Sequence, residues 1–305
     1  MPSHTAIYRP PELPAERVAA CLGLISDTHM PDRCLTLPPA LFEVLDGVDL
    51  VLHAGDLGEL WVLDQLSAIT PVIAVHGNDE TAEAQRELPY QQLVSVAGQR
   101  IVLSHCHFPD RDEELASRRD DTWGPKLARR ATFGTQAKAS IVVFGHTHIP
   151  MTKHYDGVLL VNPGAIASGG LAARQRIQTV ALLYIRDDGV PYVAHVDLAA
   201  PNRPFISQID WSAGFRAALD QFSEPILTPA LVAISDQIFR IATVTPEPTW
   251  SVLRRIALPY ISGEREVITP AMLLAGLRAE PDLPAHVLAD FEALLEPLVA
   301  GEGEI

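Results

Sequence analysis

Five times in the first half of this chain, a short apolar run stops at a cluster of His, Asp, Gly or Asn. Val18 to Ile25 leads into Ser26-Asp27-Thr28-His29, and Val48 to Leu52 into His53-Ala54-Gly55-Asp56. Val72 to Val75 precedes His76-Gly77-Asn78-Asp79-Glu80, and Ile101 to Leu103 precedes Ser104-His105-Cys106-His107. Ile141 to Phe144 ends in Gly145-His146-Thr147-His148. Short runs rich in Val, Ile and Leu suit strands buried on both faces. Between them, Leu41 to Leu45 and Leu60 to Leu66 have the spacing of amphipathic helices. Strand and helix in alternation predict an α/β core. In open α/β sheets ligands bind beyond the carboxyl ends of the strands, so the five clusters are expected to converge.

The texture changes further along. Val158 to Val161, Thr179 to Ile185 and Tyr192 to Val196 read as strands, the last two joined by the hairpin-type turn Asp187-Asp188-Gly189. This hairpin is expected to close the sheet near residue 200. Three regions result: a Pro-rich lead-in over 1–15, a chemistry-bearing domain over 16–200, and a helical domain over 201–305. In the last region, Thr228-Pro229 and Thr269-Pro270 each place a capping hydroxyl before a first-turn proline. Val287, Leu288, Phe291, Leu294, Leu295 and Leu298 share one helical face, with Gly301 as the expected stop. Residues 109–132 are densely charged with mixed sign. Such a stretch reads first as a solvated helix or loop, and more sharply as a flap over the neighbouring site.

Composition narrows the function. With 305 residues, 48% of them hydrophobic, the chain can hold one large domain and a smaller one. Lys+Arg 23 against Asp+Glu 38 gives a formal charge of −15, which disfavours non-specific binding to duplex nucleic acid. A small phosphorylated substrate is still compatible, because bound cations can reverse the local charge of a cleft. Cys21, Cys34 and Cys106 are too few and too scattered for a disulfide framework. No uninterrupted apolar stretch approaches membrane-spanning length, and the start of the chain lacks a signal-peptide core. The expectation is a cytoplasmic protein with no membrane partner.

The polar clusters contain metal-ligand chemistry. Asp27 and His29, two residues apart, project from the same side as the chain leaves its strand, and His146 and His148 repeat that spacing. Gly55 and Gly145 are expected to let the backbone turn tightly beside a ligand. Asp27, His29, Asp56, Asn78, His105, His146 and His148 together exceed the needs of one ion. Shared through a bridging carboxylate, they match two ions about 3.5–4 Å apart, the arrangement suited to phosphoryl chemistry. Each motif alone reads as a cap, a turn or a satisfied core histidine, and their ordered recurrence after strand-like runs is what carries the metal reading. His53 and His76 are expected to support or pack, Asn162-Pro163-Gly164 to form a tight turn, Arg174 and Arg176 to be solvated, and Cys106 to fill space.

The order Asp-x-His, Gly-Asp, Gly-Asn, His, Gly-His-x-His resembles the calcineurin-like metallophosphoesterase superfamily. The Val-x-Gly-Asn form at 75–78, the Gly-His-Thr-His at 145–148 and the following Asn162-Pro163-Gly164 are similar to its small bacterial and archaeal phosphodiesterase branch, relatives of the retromer subunit. This resemblance spans roughly residues 18–200 and leaves the C-terminal third unexplained. It implies an α/β fold, a four-layer α/β/β/α sandwich, followed here by an all-helical extension. It also implies that Asp27, His29, Asp56 and His148 hold one metal, with Asp56 bridging to a second completed by Asn78, His105 and His146. A metal-bridging hydroxide would then attack phosphorus in line, on a small phosphoester that is a diester rather than a monoester.

Mixed oxygen and nitrogen ligation without thiolate fits two ions of Mn²⁺, Fe or Zn²⁺, with Mn²⁺ first by family analogy. Asp56 and Asn78 are the implied catalytic residues, and His107 is the candidate proton donor to the leaving group. Where the wider superfamily has His after Gly-Asn, and this branch often Cys, the chain has Asp79. An ionised carboxylate facing a phosphate repels it, so Asp79 is expected to point away or to have a raised pKa. Leu57-Gly58-Glu59-Leu60 lacks the Asp-Arg-Gly of protein Ser/Thr phosphatases. His105-Cys106-His107-Phe108-Pro109-Asp110 fails the metallo-β-lactamase signature in spacing and in its last His. The alternative function is a non-catalytic metal-binding scaffold of the same fold, although a degraded scaffold should have lost ligands. The C-terminal helices are expected to pack or to form a homo-oligomer, with a substrate-selecting cap as the other reading.

Overall fold

The computed structural model describes Leu13 and residues 17–302. Apart from Leu13, the expected lead-in lies outside the described residues. The first half runs β1 (Val18–Ile25), α1 (Pro39–Leu45), β2 (Leu50–His53), α2 (Trp61–Ser67), β3 (Val72–Ala74), α3 (Ala82–Glu87), β4 (Gln91–Val96) and β5 (Gln99–Ser104). Next come α4 (Arg111–Arg119), α5 (Trp123–Gln136), β6 (Ile141–Phe144), β7 (Met151–Tyr155), β8 (Val158–Asn162), β9 (Ala173–Gln175), β10 (Thr179–Arg186) and β11 (Pro191–Asp197). The chain ends through α6 (Phe215–Leu219), β12 (Ser223–Pro225), α7 (Pro229–Ala233), α8 (Ser235–Val244), α9 (Pro246–Ile261), α10 (Pro270–Ala279) and α11 (Ala285–Glu302).

Two five-stranded mixed sheets form the centre, in the orders β11-β10-β1-β2-β3 and β4-β5-β6-β8-β7. β1, β2 and β3 are parallel, as are β5 and β6, so every predicted polar cluster emerges at a carboxyl end. The period of two along β1 divides its side chains between layers. Ala20, Leu22 and Leu24 face the second sheet and pack with Leu103, Ile141, Val143 and Val161. Cys21 and Ile25 face the other way, into a cluster with Leu41, Leu45 and Leu66 of α1 and α2. The second sheet repeats the logic, with Val102, Val142, Phe144 and Leu160 packed on Trp123, Leu127 and Ala131 of α5. The result is the four-layer α/β/β/α sandwich. Each fully buried Leu or Val in these layers is worth about 1.5–3 kcal/mol of transfer free energy.

β4 and β7 were not legible in the sequence. Both are edge strands, and each buries a single residue, Val94 in β4 and Met151 in β7, instead of running continuously apolar. The Asp187-Asp188-Gly189 turn does join β10 to β11 in an antiparallel hairpin, with Gly189 at φ 79°.

The chain divides into two compact units, Met1–Ala167 with Gln175–Phe222, and Ser168–Arg174 with Ser223–Ile305. The hairpin does end the first sheet, with β11 closing at Asp197, and the first unit runs on to Phe222 because Phe205, Phe215, Ala218 and Phe222 join the α5 side of the sandwich core. Among its described residues, the second unit is otherwise helical but also holds β12 and the Ala173–Arg174 part of β9, the strand with which β12 pairs. It has its own core of Ile226, Leu231, Val252, Leu277, Val287, Phe291 and Leu295. Of the two expected caps, Thr269 accepts from the Met272 N–H, whereas Thr228 makes no capping bond. Gly301 does not stop the last helix, which continues to Glu302. Among the described residues, no helix is long and apolar enough to cross a membrane.

Candidate metal centre

The strand-end loops keep pairing after their strands have ended. The Asp27 N–H donates to the Gly55 carbonyl at 2.9 Å, and the His29 N–H to the Asp56 carbonyl at 3.0 Å. This pairing holds the two loops side by side. Asp27, His29, Asp56, His146 and His148 all have positive φ, at 56°, 44°, 53°, 71° and 57°. A non-glycine residue in that region costs on the order of 1–3 kcal/mol, and such strain collects where a site must aim its side chains.

Gly77 and Gly145 have ordinary φ but no room for a side chain. A Cβ on Gly77 would collide with the Asp56 carboxylate, and one on Gly145 would lie 2.7 Å from the Ala54 carbonyl and 2.9 Å from Asp27 Oδ2. The sequence assigned Gly145 a tight turn, but the structure assigns it close approach. Of the expected pair, Gly55 alone has positive φ, at 89°.

The side chains gather into two groups. Asp27, His29 and His148 offer one donor atom each within 4.8 Å of one another, and so do Asp27, Asp56 and His105. His148 Nε2 is 3.1 Å from Asp27 Oδ1. Asp56 Oδ2 lies 3.7 Å from His29 Nε2 and 3.3 Å from His105 Nε2, so one oxygen faces both groups. His146 joins the second group through Nδ1, 3.3 Å from His105 Nε2.

The fit of cations to this set can be tested from the lone pairs. His105 Nδ1 donates to the Ala54 carbonyl at 2.8 Å, which leaves its Nε2 as a lone pair in the neutral ring. That lone pair faces Asp56 Oδ2 and a ring nitrogen of His146, so a proton or a cation must stand among them. Both ring nitrogens of His29 and Nδ1 of His148 are buried without a hydrogen-bond partner. Buried polar atoms normally have partners, and unpartnered imidazole nitrogens beside buried carboxylates have the chemistry to hold a metal. The residues fit.

Electrostatics agree. Burial acts to raise the Asp27 carboxyl, but His148 and His105 together outweigh it and hold the group at about 2. Asp56 is likewise buried, and the charge and hydrogen bond of His105 hold it well below the usual carboxylate range. His105 is opposed by burial but raised by Asp56 to about 9. Burial and then Arg33 push His29 well below its ordinary value, so it stays neutral.

The remaining predicted residues separate. Asn78 is exposed, between Gly77 and Asp79, both of which lie against Asp56. His107 is buried with its Nδ1 unpartnered, and its ring centroid is 5.5 Å from that of His105 and 6.5 Å from that of His146. Burial and then the His105 charge push it down to about 3.

Asp79 is paired with Arg33, whose guanidinium removes the repulsion its carboxylate posed for an anionic substrate. The carboxylate of Glu80 accepts from the N–H groups of Leu57, Gly58 and Gly77, which ties the second and third loops together. Burial and then Asp56 raise it to about 7. His53 supports the site, contacting the Gly55 N–H with Nδ1 and the Thr28 hydroxyl with Nε2. Asn162 donates to the Gly145 carbonyl and the Thr147 hydroxyl, so its turn braces the His146 loop. Arg174 pairs with Glu224, and Arg176 is exposed.

The charged stretch 109–132 is not simply solvated. It forms α4 and α5, and Glu114, Trp123, Lys126, Leu127, Arg130 and Ala131 are buried. Glu114 is the site residue that sequence reasoning missed. Its Oε1 is 2.8 Å from His146 Nε2. Nothing in the run Arg111-Asp112-Glu113-Glu114 distinguishes the one acidic residue that turns inward.

A family model for the calcineurin-like phosphoesterase superfamily domain matches residues 21–188. A protein of Methanothermobacter thermautotrophicus named as a probable metallophosphoesterase is 32% identical over 144 residues, which is 47% of this chain and 76% of its own. A phosphodiesterase of Methanocaldococcus jannaschii is 24% identical over 151 residues, covering 47% of this chain and 82% of its own. Among solved structures, vacuolar protein sorting 29 from Cryptosporidium parvum is 21% identical and covers 59% of this chain and 98% of its own, with a TM-score of 0.45.

Proposed function

This chain belongs to the calcineurin-like phosphoesterase superfamily, and on that premise we propose that it is a binuclear metal-dependent phosphodiesterase. The observation that carries the reading is Asp56 Oδ2, which faces His29 Nε2 and His105 Nε2 at 3.7 and 3.3 Å. A carboxylate oxygen facing both groups would suit sharing between two cations. Asp27, His29, Asp56 and His148 would hold the first ion, and Asp56, Asn78, His105 and His146 the second. When bound, two divalent cations supply positive charge against the phosphate oxygens and lower the pKa of the attacking water.

The chain's own residues set the rest. His29 and His148 are buried with no hydrogen-bond partner at Nδ1, and burial keeps His29 neutral, so it would spend no proton on binding. Arg33 holds Asp79 as an ion pair, so the mouth of the site is not negative at the residue that departs from the family pattern. Its Nδ1, buried and without a hydrogen-bond partner beside His105, supports His107 as the group that would hydrogen-bond the leaving oxygen. The absence of thiolate from the donor set supports Mn²⁺ first, then Fe or Zn²⁺. Cys21, Cys34 and Cys106 form no disulfide, which supports a reducing, cytoplasmic setting. A net charge of −15 supports a small phosphoester over duplex nucleic acid as substrate. The separate apolar core of residues 223–302 supports a self-packing module available for homo-oligomer formation, which sedimentation of the full chain would read.

The test is turnover. Metal-depleted protein reloaded with Mn²⁺ is expected to bind close to two ions per chain and to hydrolyse an aryl phosphodiester faster than the corresponding monoester. Chelation should abolish the rate. Bound metal with no hydrolysis across a broad phosphoester panel would favour the non-catalytic scaffold instead.

A further inference from the structure

His146 has two ring nitrogens with opposite surroundings. Nδ1 faces His105 Nε2 at 3.3 Å, on the side of Asp56. Nε2 faces away, 2.8 Å from Glu114 Oε1 on α4. A carboxylate is an acceptor only, so the nitrogen it meets must carry the hydrogen. Glu114 thereby selects the Nε2–H tautomer of His146 and leaves the lone pair on Nδ1, aimed at the second cluster.

Glu114 is itself held by three contacts on two oxygens. Oε1 accepts from Arg118 Nε at 2.6 Å as well as from His146, and Oε2 accepts from the Phe108 N–H at 3.0 Å. The Phe108 bond ties the carboxylate to the loop that carries His105 and His107. Burial works against the charge, but the His146 hydrogen bond keeps the carboxyl well below its ordinary value. Arg118 is one turn further along the same helix, with its side chain about half exposed. Helix α4 begins with Asp110, whose carboxylate accepts from the Asp112 and Glu113 N–H groups, so the turn that projects Glu114 is capped.

We propose that Glu114 is a positioning residue for the second metal: its carboxylate orients His146 so that Nδ1 is the ligating atom. This rests on the binuclear reading above and adds to it a helix from outside the strand-end loops. Orienting carboxylates on ligating histidines are typically worth roughly ten- to a hundredfold in metal affinity. Gln can accept the same hydrogen bond through its amide oxygen, whereas Ala cannot.

The experiment titrates metal-free full-length protein with Zn²⁺ by calorimetry, and reads His ring nitrogens by ¹⁵N NMR in the Zn²⁺-loaded form. The His146 signals are assigned by their loss in His146→Ala. Glu114→Ala is expected to weaken the second of two binding events roughly ten- to a hundredfold and leave the first unchanged. It should also remove the single-tautomer pattern of His146. Glu114→Gln should keep that pattern and most of the affinity, and far-ultraviolet circular dichroism of both variants controls for folding. Unchanged second-site affinity and tautomer in Glu114→Ala would overturn the inference. Equal damage in Gln and Ala would also overturn it, by making the carboxylate a ligand rather than an orienter. Wild-type protein that binds fewer than two ions would instead sink the binuclear reading.

Discussion

Asp27, His29 and His148 stand on loops that leave three imidazole nitrogens buried and unmatched, whereas Asp56, His105 and His146 are tied to backbone, to one another and to α4. In the first group the folded chain itself supplies no hydrogen-bond partner for those three nitrogens. The second is satisfied without a cation, because a proton on His105 can stand in for the charge. Removing one member should therefore have opposite consequences in the two groups when no metal is present. It should have similar consequences once metal is required.

The largest expected effect is at the shared atom. Asp56→Asn takes the charge from the oxygen that faces both groups, and should cut phosphodiester turnover by about 10³-fold or more, equivalent to about 4 kcal/mol of transition-state stabilisation. Steady-state kinetics at saturating Mn²⁺ would measure it, and a loss under tenfold would break the idea of a bridge.

Denaturant unfolding of metal-free protein tests the contrast itself. His105→Ala leaves Asp56 buried without its partner and should cost about 3–5 kcal/mol. His29→Leu removes two unmatched nitrogens at similar volume and should stay within about 1 kcal/mol of wild type, on the stabilising side. Equal losses in the two variants would erase the distinction.

His195 shows that burial alone does not make a metal ligand. It lies on β11, away from the strand-end loops, with Nε2 3.1 Å from the Thr152 hydroxyl. Burial lowers it from 6.5 to about 4. The folded state therefore resists a proton that the unfolded chain accepts. Stability is full above about pH 6.5 and is lost as pH falls toward about 4, by up to about 3 kcal/mol. His195→Gln should flatten that part of the stability curve in chelated protein, with metal affinity untouched.

The smallest effect belongs to the helical unit. Thr269→Ala should cost about 1 kcal/mol because it removes a cap, while Thr228→Ala should cost less than about 0.5 kcal/mol because there is no cap to remove. Thermal unfolding of the two variants side by side gives the difference.

Much of the fold was legible for one reason. Strands such as β1 and β6 are buried on both faces, so their composition is nearly uniform and their ends coincide with the first polar residues. The edge strands β4 and β7 bury one residue each, and their largely polar sequence does not separate from loop sequence. In the site, Asp27, His29, Asp56, His105, His146 and His148 were visible because each follows such a strand end. Glu114 was not, because an acidic residue on a charged helix looks the same whether it turns inward or outward. Gly145 was read for its turn and proved to matter for its missing side chain.

By itself the sequence determined the five strand ends, the chemistry of the donor atoms at each, and the excess of acidic groups over the whole chain. These are properties of local pattern and composition, which need no partner from elsewhere in the chain. Only the tertiary structure decided which donors share an oxygen, which ring nitrogen of His146 faces the cluster, and that Arg33 neutralises Asp79. Those outcomes depend on distances between residues far apart in the chain, set by how two sheets and the inserted helices pack. No spacing along the sequence records them.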